Sequence, residues 1–131
     1  MNTLKKGDSL PNFECLNDKG NLVKSNDYKG KKLIVFFYPR ANTPGCTAEA
    51  CNLSENFDDL TKKGYSILGI SCDKVETQSK FSNKFSLKYP LLADTDKNLV
   101  KLFGVWGPKK FMGREYEGIH RMTFIFDENS V

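Results

Sequence analysis

The run Leu-Ile-Val-Phe-Phe-Tyr at residues 33–38 contains no strongly polar position, and it stops at Pro39. A strand with one wet face alternates polar and apolar side chains. A continuous apolar run of strand length predicts a strand buried on both faces. Such a strand must be covered from above and below, so the rest of the chain has to supply two layers around it.

The following sequence reads that way. Thr43 can cap a helix with Pro44 at its first position, and the pattern predicts a helix over 44–63. Ala48, Cys51, Leu53, Phe57 and Leu60 form an approximate apolar stripe, Lys62 and Lys63 suit the last turn, and Gly64 can end it. SILGISC at 66–72 predicts a second strand. A polar amphipathic helix follows near 75–86, with Phe81 and Phe85 four residues apart. Leu99, Val100 and Phe103 suggest a short helix ending at Gly104, and MTFIF at 122–126 a further strand. Near the start, NDKGN at 17–21 reads as a turn between two short paired strands. Strands alternating with helices imply an α/β sandwich containing parallel pairs. No repeat, low-complexity tract or linker divides residues 1–131, so one domain is expected.

Charge excludes some functions. The formal net charge is only +4, and the lysine pairs Lys5-Lys6, Lys31-Lys32, Lys62-Lys63 and Lys109-Lys110 are dispersed with acids between them. That pattern describes a solvated surface, with no aromatic-basic stripe for nucleic acid. No apolar run reaches the length of a membrane span. The segment MNTLKKGDSLPNF lacks the apolar core of an export signal, so a cytoplasmic location is expected. Disulfides there tend to be transient and catalytic.

Four cysteines are present, and two of them lie in PRANTPGCTAEAC at residues 39–51. A thiol attacks as its thiolate, and an ordinary cysteine with a pKa of about 8.5 is mostly protonated at neutral pH. Cys46 falls in the first turn of the predicted helix, where unpaired N–H groups and the positive end of the helix dipole favour an anion. Gly45 permits close backbone approach, and the Thr43 hydroxyl can donate to a thiolate or to an oxygen beside it. Cys51, deeper in the helix, lacks that environment. Residues five apart on a helix have Cα atoms about 8–9 Å apart and point roughly 140° away from each other. A disulfide rarely tolerates a Cα separation beyond about 7 Å. The two thiols therefore stay apart while the helix is intact, and pairing requires its first turn to unwind.

The pattern P-x-x-x-T-x-x-C at Pro39, Thr43 and Cys46 resembles the peroxidatic motif of the peroxiredoxins. Its continuation through Cys51 is similar to the bacterioferritin-comigratory, or Q-type, subfamily. LPNFECLNDKGN, SILGISCD, YPLLADTDKNLVKLFGVW and HRMTFIFD extend the resemblance over nearly the whole chain. It implies a thioredoxin-like sandwich with an N-terminal β extension, working as a thiol-dependent peroxidase of the atypical two-cysteine type. Hydrogen peroxide and small alkyl hydroperoxides would be the substrates. Carried over by position, Cys46 attacks the O–O bond and becomes a sulfenic acid, and Cys51 resolves it as an intrachain disulfide. Thr43 orients the thiolate and the peroxide oxygens, and Pro39 shields the sulfenate. The family's arginine ahead of a Thr-Phe pair matches Arg121. Thioredoxin or a similar dithiol would be the reductant, with no metal or other cofactor, and a monomer is expected.

Physical reasoning favours the same arginine. A permanently charged, forked donor suits a thiolate and a developing oxyanion. Only Arg40, Arg114 and Arg121 are available, and Arg121 alone sits at the start of a predicted sheet strand. Arg40 lies in a turn and Arg114 among charged residues, both reading as surface. Cys15 and Cys72 read as core or half-buried thiols, although either could replace Cys51 as resolver. His120 reads as a strand-end surface histidine, Trp106 and Phe103 as core or pocket wall. Glu49 reads equally as an arginine partner or an exposed helix carboxylate. The absence of C-x-x-C argues against a thiol–disulfide oxidoreductase and against a zinc site. A non-enzymatic redox sensor would differ in lacking rapid turnover with reductant. Members of the family usually continue past the strand matching 122–126 with a further strand and a long C-terminal helix. The sequence is therefore expected to be short at that end, leaving a strand edge uncovered.

Overall fold

The apolar run becomes an inner strand of a four-stranded sheet. In the computed structural model, which describes residues 3–41, 44–111 and 113–129, the chain opens with a hairpin. It consists of β1 (Glu14–Leu16) and β2 (Leu22–Lys24), followed by a 3-10 turn at Ser25–Tyr28. Next come β3 (Lys32–Phe37), α1 (Pro44–Glu55) and α2 (Phe57–Lys62). They lead to β4 (Tyr65–Ser71), α3 (Val75–Phe85), β5 (Leu91–Ala93) and α4 (Asn98–Leu102). A second hairpin, β6 (Trp106–Phe111) with β7 (Arg114–Ile119), precedes β8 (Met122–Phe126).

The main sheet has the order β5-β4-β3-β8. β3 is parallel to β4 and antiparallel to β8, with Phe37 opposite Ile70 on one side and Met122 on the other. β4 is parallel to β5. The hairpin β1–β2 attaches at the β5 edge through a bridge between Asn17 and Leu92. Among the described residues β8 ends the order on the far side, with Ile125 63% exposed.

Alternation along β3 sends its side chains into two separate cores. Leu33, Val35 and Phe37 pack with Leu68, Ile70, Leu99, Val100, Phe103 and Phe126 on the α4 side. Ile34, Phe36 and Tyr38 pack with Ala50, Ile67, Phe81, Tyr89 and Leu91 on the side of α1 and α3. The expected strand with two buried faces is therefore present, and each large side chain buried there contributes about 1.5–3 kcal/mol. Gly69 in β4 makes the second core possible. A Cβ there would lie 2.7 Å from Leu91 Cδ2 and 2.8 Å from Phe36 Cζ.

The expected strands at 66–72 and 122–126, the helix near 75–86 and the N-terminal hairpin are all found, within a residue or so at their ends. The single helix expected over 44–63 is instead interrupted at Asn56, whose φ of −94° and ψ of 7° leave the helical region. The Asn56 side chain donates to the Asn52 carbonyl at 2.8 Å, a local bond that competes with regular helix geometry. The interruption is slight, because the Leu60 N–H still reaches the Asn56 carbonyl at 3.0 Å. Gly64, at φ +86°, ends α2 as its sequence position predicts. β5 and the β6–β7 hairpin were not anticipated from the pattern.

Candidate active site

The C-terminal end of β3 delivers the chain to α1. Tyr38 continues the strand by one residue, its N–H bonding the Ile70 carbonyl at 3.0 Å. Pro39 has no N–H to continue the ladder and is half-buried, while Arg40 is exposed, as expected for a turn. Ala41 turns back inward, only 7% exposed, and its N–H donates to Asp73 Oδ2 at 2.7 Å. Thr43, the expected cap and orienting hydroxyl, lies outside the described residues.

α1 begins at Pro44, as proline's fixed φ and missing N–H favour. Gly45 and Cys46 therefore occupy its first turn, where unpaired amides and the helix dipole favour an anion. The side chains of Gly45's neighbour Cys46 and of Glu49 lie outside the described set. Cys51 is on the same helix, free and half-buried. An unbroken helix from Pro44 to Glu55 holds the two cysteines' backbones at the separation derived above, too far apart for a disulfide. The middle of α1 is fixed from outside. Tyr89 donates its hydroxyl to the Ala50 carbonyl at 2.7 Å, and the Lys88 N–H reaches Ser54 Oγ at 3.2 Å.

Arg121 immediately precedes β8 and is exposed. Phe37 pairs with Met122, so one further step along the register sets Arg121 opposite Tyr38. Strand and arginine thus meet at the end of the sheet where the chain leaves for α1. Alternation also gives Arg121 the face of Thr123 and Ile125, opposite Met122 and Phe124, and that is the face carrying α1. The preceding residue is anchored twice. The His120 N–H bonds the Val105 carbonyl at 2.7 Å, and its ring Nε2 lies 3.0 Å from the Pro108 carbonyl. A carbonyl can only accept, which assigns the proton to Nε2. His120 is half-buried and tied to the β6–β7 hairpin, more structural than the surface position expected of it. The side chain of Arg114 lies outside the described set.

Cys15 and Cys72 are half-buried and pack against the α4-side core, as expected. Burial, with the Asp94 carboxylate nearby, pushes Cys15 up to about 12. The same two causes raise Cys72 to about 11. Asp94 itself is buried and bonds the Leu99 and Val100 amides at 3.1 and 2.9 Å, capping α4. Desolvation raises its own pKa. Phe103 is core, and Trp106 packs half-buried against that core under the Lys97 ammonium, which lies 5.2 Å from its ring centroid. Among the described residues, no three His, Cys, Asp or Glu side chains gather into a metal-holding group. Among the described residues no helix is long and apolar enough to cross a membrane.

Beside these lie residues that sequence reasoning passed over. Asp73, Ser71, Gln78 and Tyr38 form a connected polar network under the β3–α1 turn. The only hint in the sequence is polar residues where the core pattern asks for apolar ones, such as Gln78, fully buried on α3.

Comparison with known proteins places this geometry in a family. The family model described as AhpC/TSA matches residues 6–131. Peroxiredoxin Bcp of Escherichia coli is 48% identical over 127 residues, 97% of this chain and 81% of that protein. Among solved structures, a cysteine-to-serine mutant of PrxQ from Xylella fastidiosa superposes with a TM-score of 0.92 at 27% identity, covering 99% of this chain and 83% of that one. The bacterioferritin comigratory protein of Xanthomonas campestris, described for its alkyl peroxide reduction activity, gives a TM-score of 0.85 at 30% identity over 90% of this chain and 75% of that one. The thioredoxin-like sandwich with an N-terminal β extension is therefore the fold of this chain. The chain belongs to the AhpC/TSA family, the family of the peroxiredoxins.

Proposed function

We propose that this peroxiredoxin reduces hydrogen peroxide and small alkyl hydroperoxides through Cys46. The observation that carries the reading is a cysteine in the first turn of α1, at the end of a buried strand, with a second cysteine on the same helix. The Cys46 thiolate attacks the terminal oxygen of the peroxide. An S–O bond forms as the O–O bond breaks, and the departing alkoxide or hydroxide takes a proton to leave as alcohol or water. Arg121 stabilises the thiolate and the charge developing on the leaving oxygen, Thr43 orients both, and the Gly45 backbone lets the peroxide approach. Pro39, half-buried, keeps bulk water from the sulfenic acid.

Resolution joins the Cys51 sulfur to that of Cys46 and releases the sulfenic oxygen as water. It requires the first turn of α1 to unwind. The anchoring of Ala50 by Tyr89 supports this division of labour, since Cys51 stays on a fixed stretch of helix while Cys46 travels. A dithiol donor of thioredoxin type then reduces the disulfide and leaves oxidised itself. A monomer working in the cytoplasm, with no cofactor, completes the reading.

Two variants test the roles. Cys46→Ser should lose peroxide turnover entirely. Cys51→Ser should consume about one equivalent of peroxide, accumulate a sulfenic acid that dimedone traps, and recycle poorly with thioredoxin. Full steady-state activity in Cys51→Ser would remove Cys51 from the mechanism.

A further inference from the structure

β4 ends at Ser71, and two residues later the Asp73 carboxylate turns back across the sheet end. Its Oδ2 accepts two hydrogen bonds, from the Ala41 N–H at 2.7 Å and from the Ser71 hydroxyl at 2.7 Å. Ala41 stands five residues ahead of Cys46. The carboxylate therefore holds the chain by its backbone just before it departs for the cysteine.

The hold is backed by a buried network with a single possible polarity. An ionised carboxylate only accepts, so Ser71 must spend its one hydrogen on Asp73. The Ser71 oxygen then accepts from Gln78 Nε2 at 3.0 Å and from the Asp73 N–H at 3.2 Å. Gln78 Nε2 also donates to the Leu92 carbonyl at 2.8 Å, and Gln78 Oε1 accepts the Tyr38 hydroxyl. Tyr38, Ser71 and Gln78 are all fully buried. The end of β3, β4, β5 and α3 are thus braced against one carboxylate, with no hydroxyl rotor left free to release it.

We propose that Asp73 is the positioning residue of the Cys46-bearing turn: it fixes the Ala41 amide, and it keeps that hold when the first turn of α1 opens. Opening is then confined to the stretch between Ala41 and the part of the helix anchored at Ala50, and β3 is left undisturbed. The inference rests on the peroxidase reading above. It adds a residue that acts on the reacting turn through the Ala41 backbone.

Single-turnover oxidation by hydrogen peroxide, quenched in time and read by mass spectrometry, separates attack from resolution. In Asp73→Ala, attack on Cys46 should slow by about ten- to a hundredfold, the range expected when a reacting group is misplaced by about 1 Å. Closure of the Cys46–Cys51 bond should not slow. Asp73→Asn should recover most of the attack rate, because its amide oxygen can still accept from Ala41. Attack at the wild-type rate in folded Asp73→Ala, or an Asn variant as slow as the Ala variant, would overturn the assignment.

Hydrogen exchange on the unmodified protein provides a measurement that needs no variant to fold. The Ala41 amide should be protected in both the reduced and the disulfide form. Loss of its protection in the disulfide form would overturn the proposal. An unprotected Ala41 amide in the reduced protein would do so whatever the protein does with peroxide. Failure of the wild type to consume peroxide, with Ala41 protected, would instead strike the peroxidase reading.

Discussion

Cys46 occupies an environment opposite to that of Cys15 and Cys72. Cys46 and Cys51 share one helix, whose first turn offers unpaired amides and a positive dipole end. Cys15 and Cys72 lie on β1 and just beyond β4, half-buried, with the Asp94 carboxylate close to both. A helix N-terminus attracts negative charge, whereas a half-buried site beside a carboxylate disfavours it. The difference teaches that position in the fold gives chemically identical side chains different tendencies to ionise.

Alkylation against pH draws the contrast most widely. A thiol raised to about 12, like Cys15, stays neutral through the physiological range, so its rate should climb tenfold per pH unit from 7 to 10 without a plateau. At pH 7 Cys15 should react on the order of a hundredfold more slowly than an ordinary thiol, after allowing for the greater nucleophilicity of a more basic thiolate. Cys72, at about 11, should follow with a smaller deficit. Cys46 should instead level off at a lower pH than either. The profiles can be read residue by residue from peptide masses, and a plateau near pH 8 at Cys15 would break the comparison.

Removing Cys15 or Cys72 should matter least. Cys15→Ala and Cys72→Ala should each leave peroxide turnover within about twofold of the parent and cost less than about 2 kcal/mol of stability. Steady-state assays and urea melts measure both quantities. A large loss of turnover in Cys72→Ala, with the fold intact, would make it a resolver and merge the two classes.

Much of this arrangement was legible in the residues. The unbroken run at 33–38 required a strand covered on both faces, and Thr-Pro-Gly-Cys placed a cysteine in a first helical turn. β8 was equally clear, since MTFIF has strand length and composition. Other parts left little trace. β5 is only three residues long, and the β6–β7 hairpin carries Pro108, lysines and glutamates at positions that give no alternation. The break at Asn56 depends on a side chain choosing a nearby carbonyl, which periodicity does not report.

Least visible was the network around Asp73. Its members come from residues 38, 41, 71, 73 and 78, and only the parallel register of β3 with β4 brings them together. The same holds for Arg121. Sequence reasoning could choose it by elimination among three arginines, but the antiparallel pairing of Phe37 with Met122 is what sets it at the sheet end that leads to α1.

The most direct measurement treats the fully reduced protein with stoichiometric hydrogen peroxide and maps every thiol and disulfide by mass spectrometry. The account predicts a rapid Cys46–Cys51 disulfide with Cys15 and Cys72 still free. A disulfide that includes Cys15 or Cys72, or four thiols left unreacted, would contradict it.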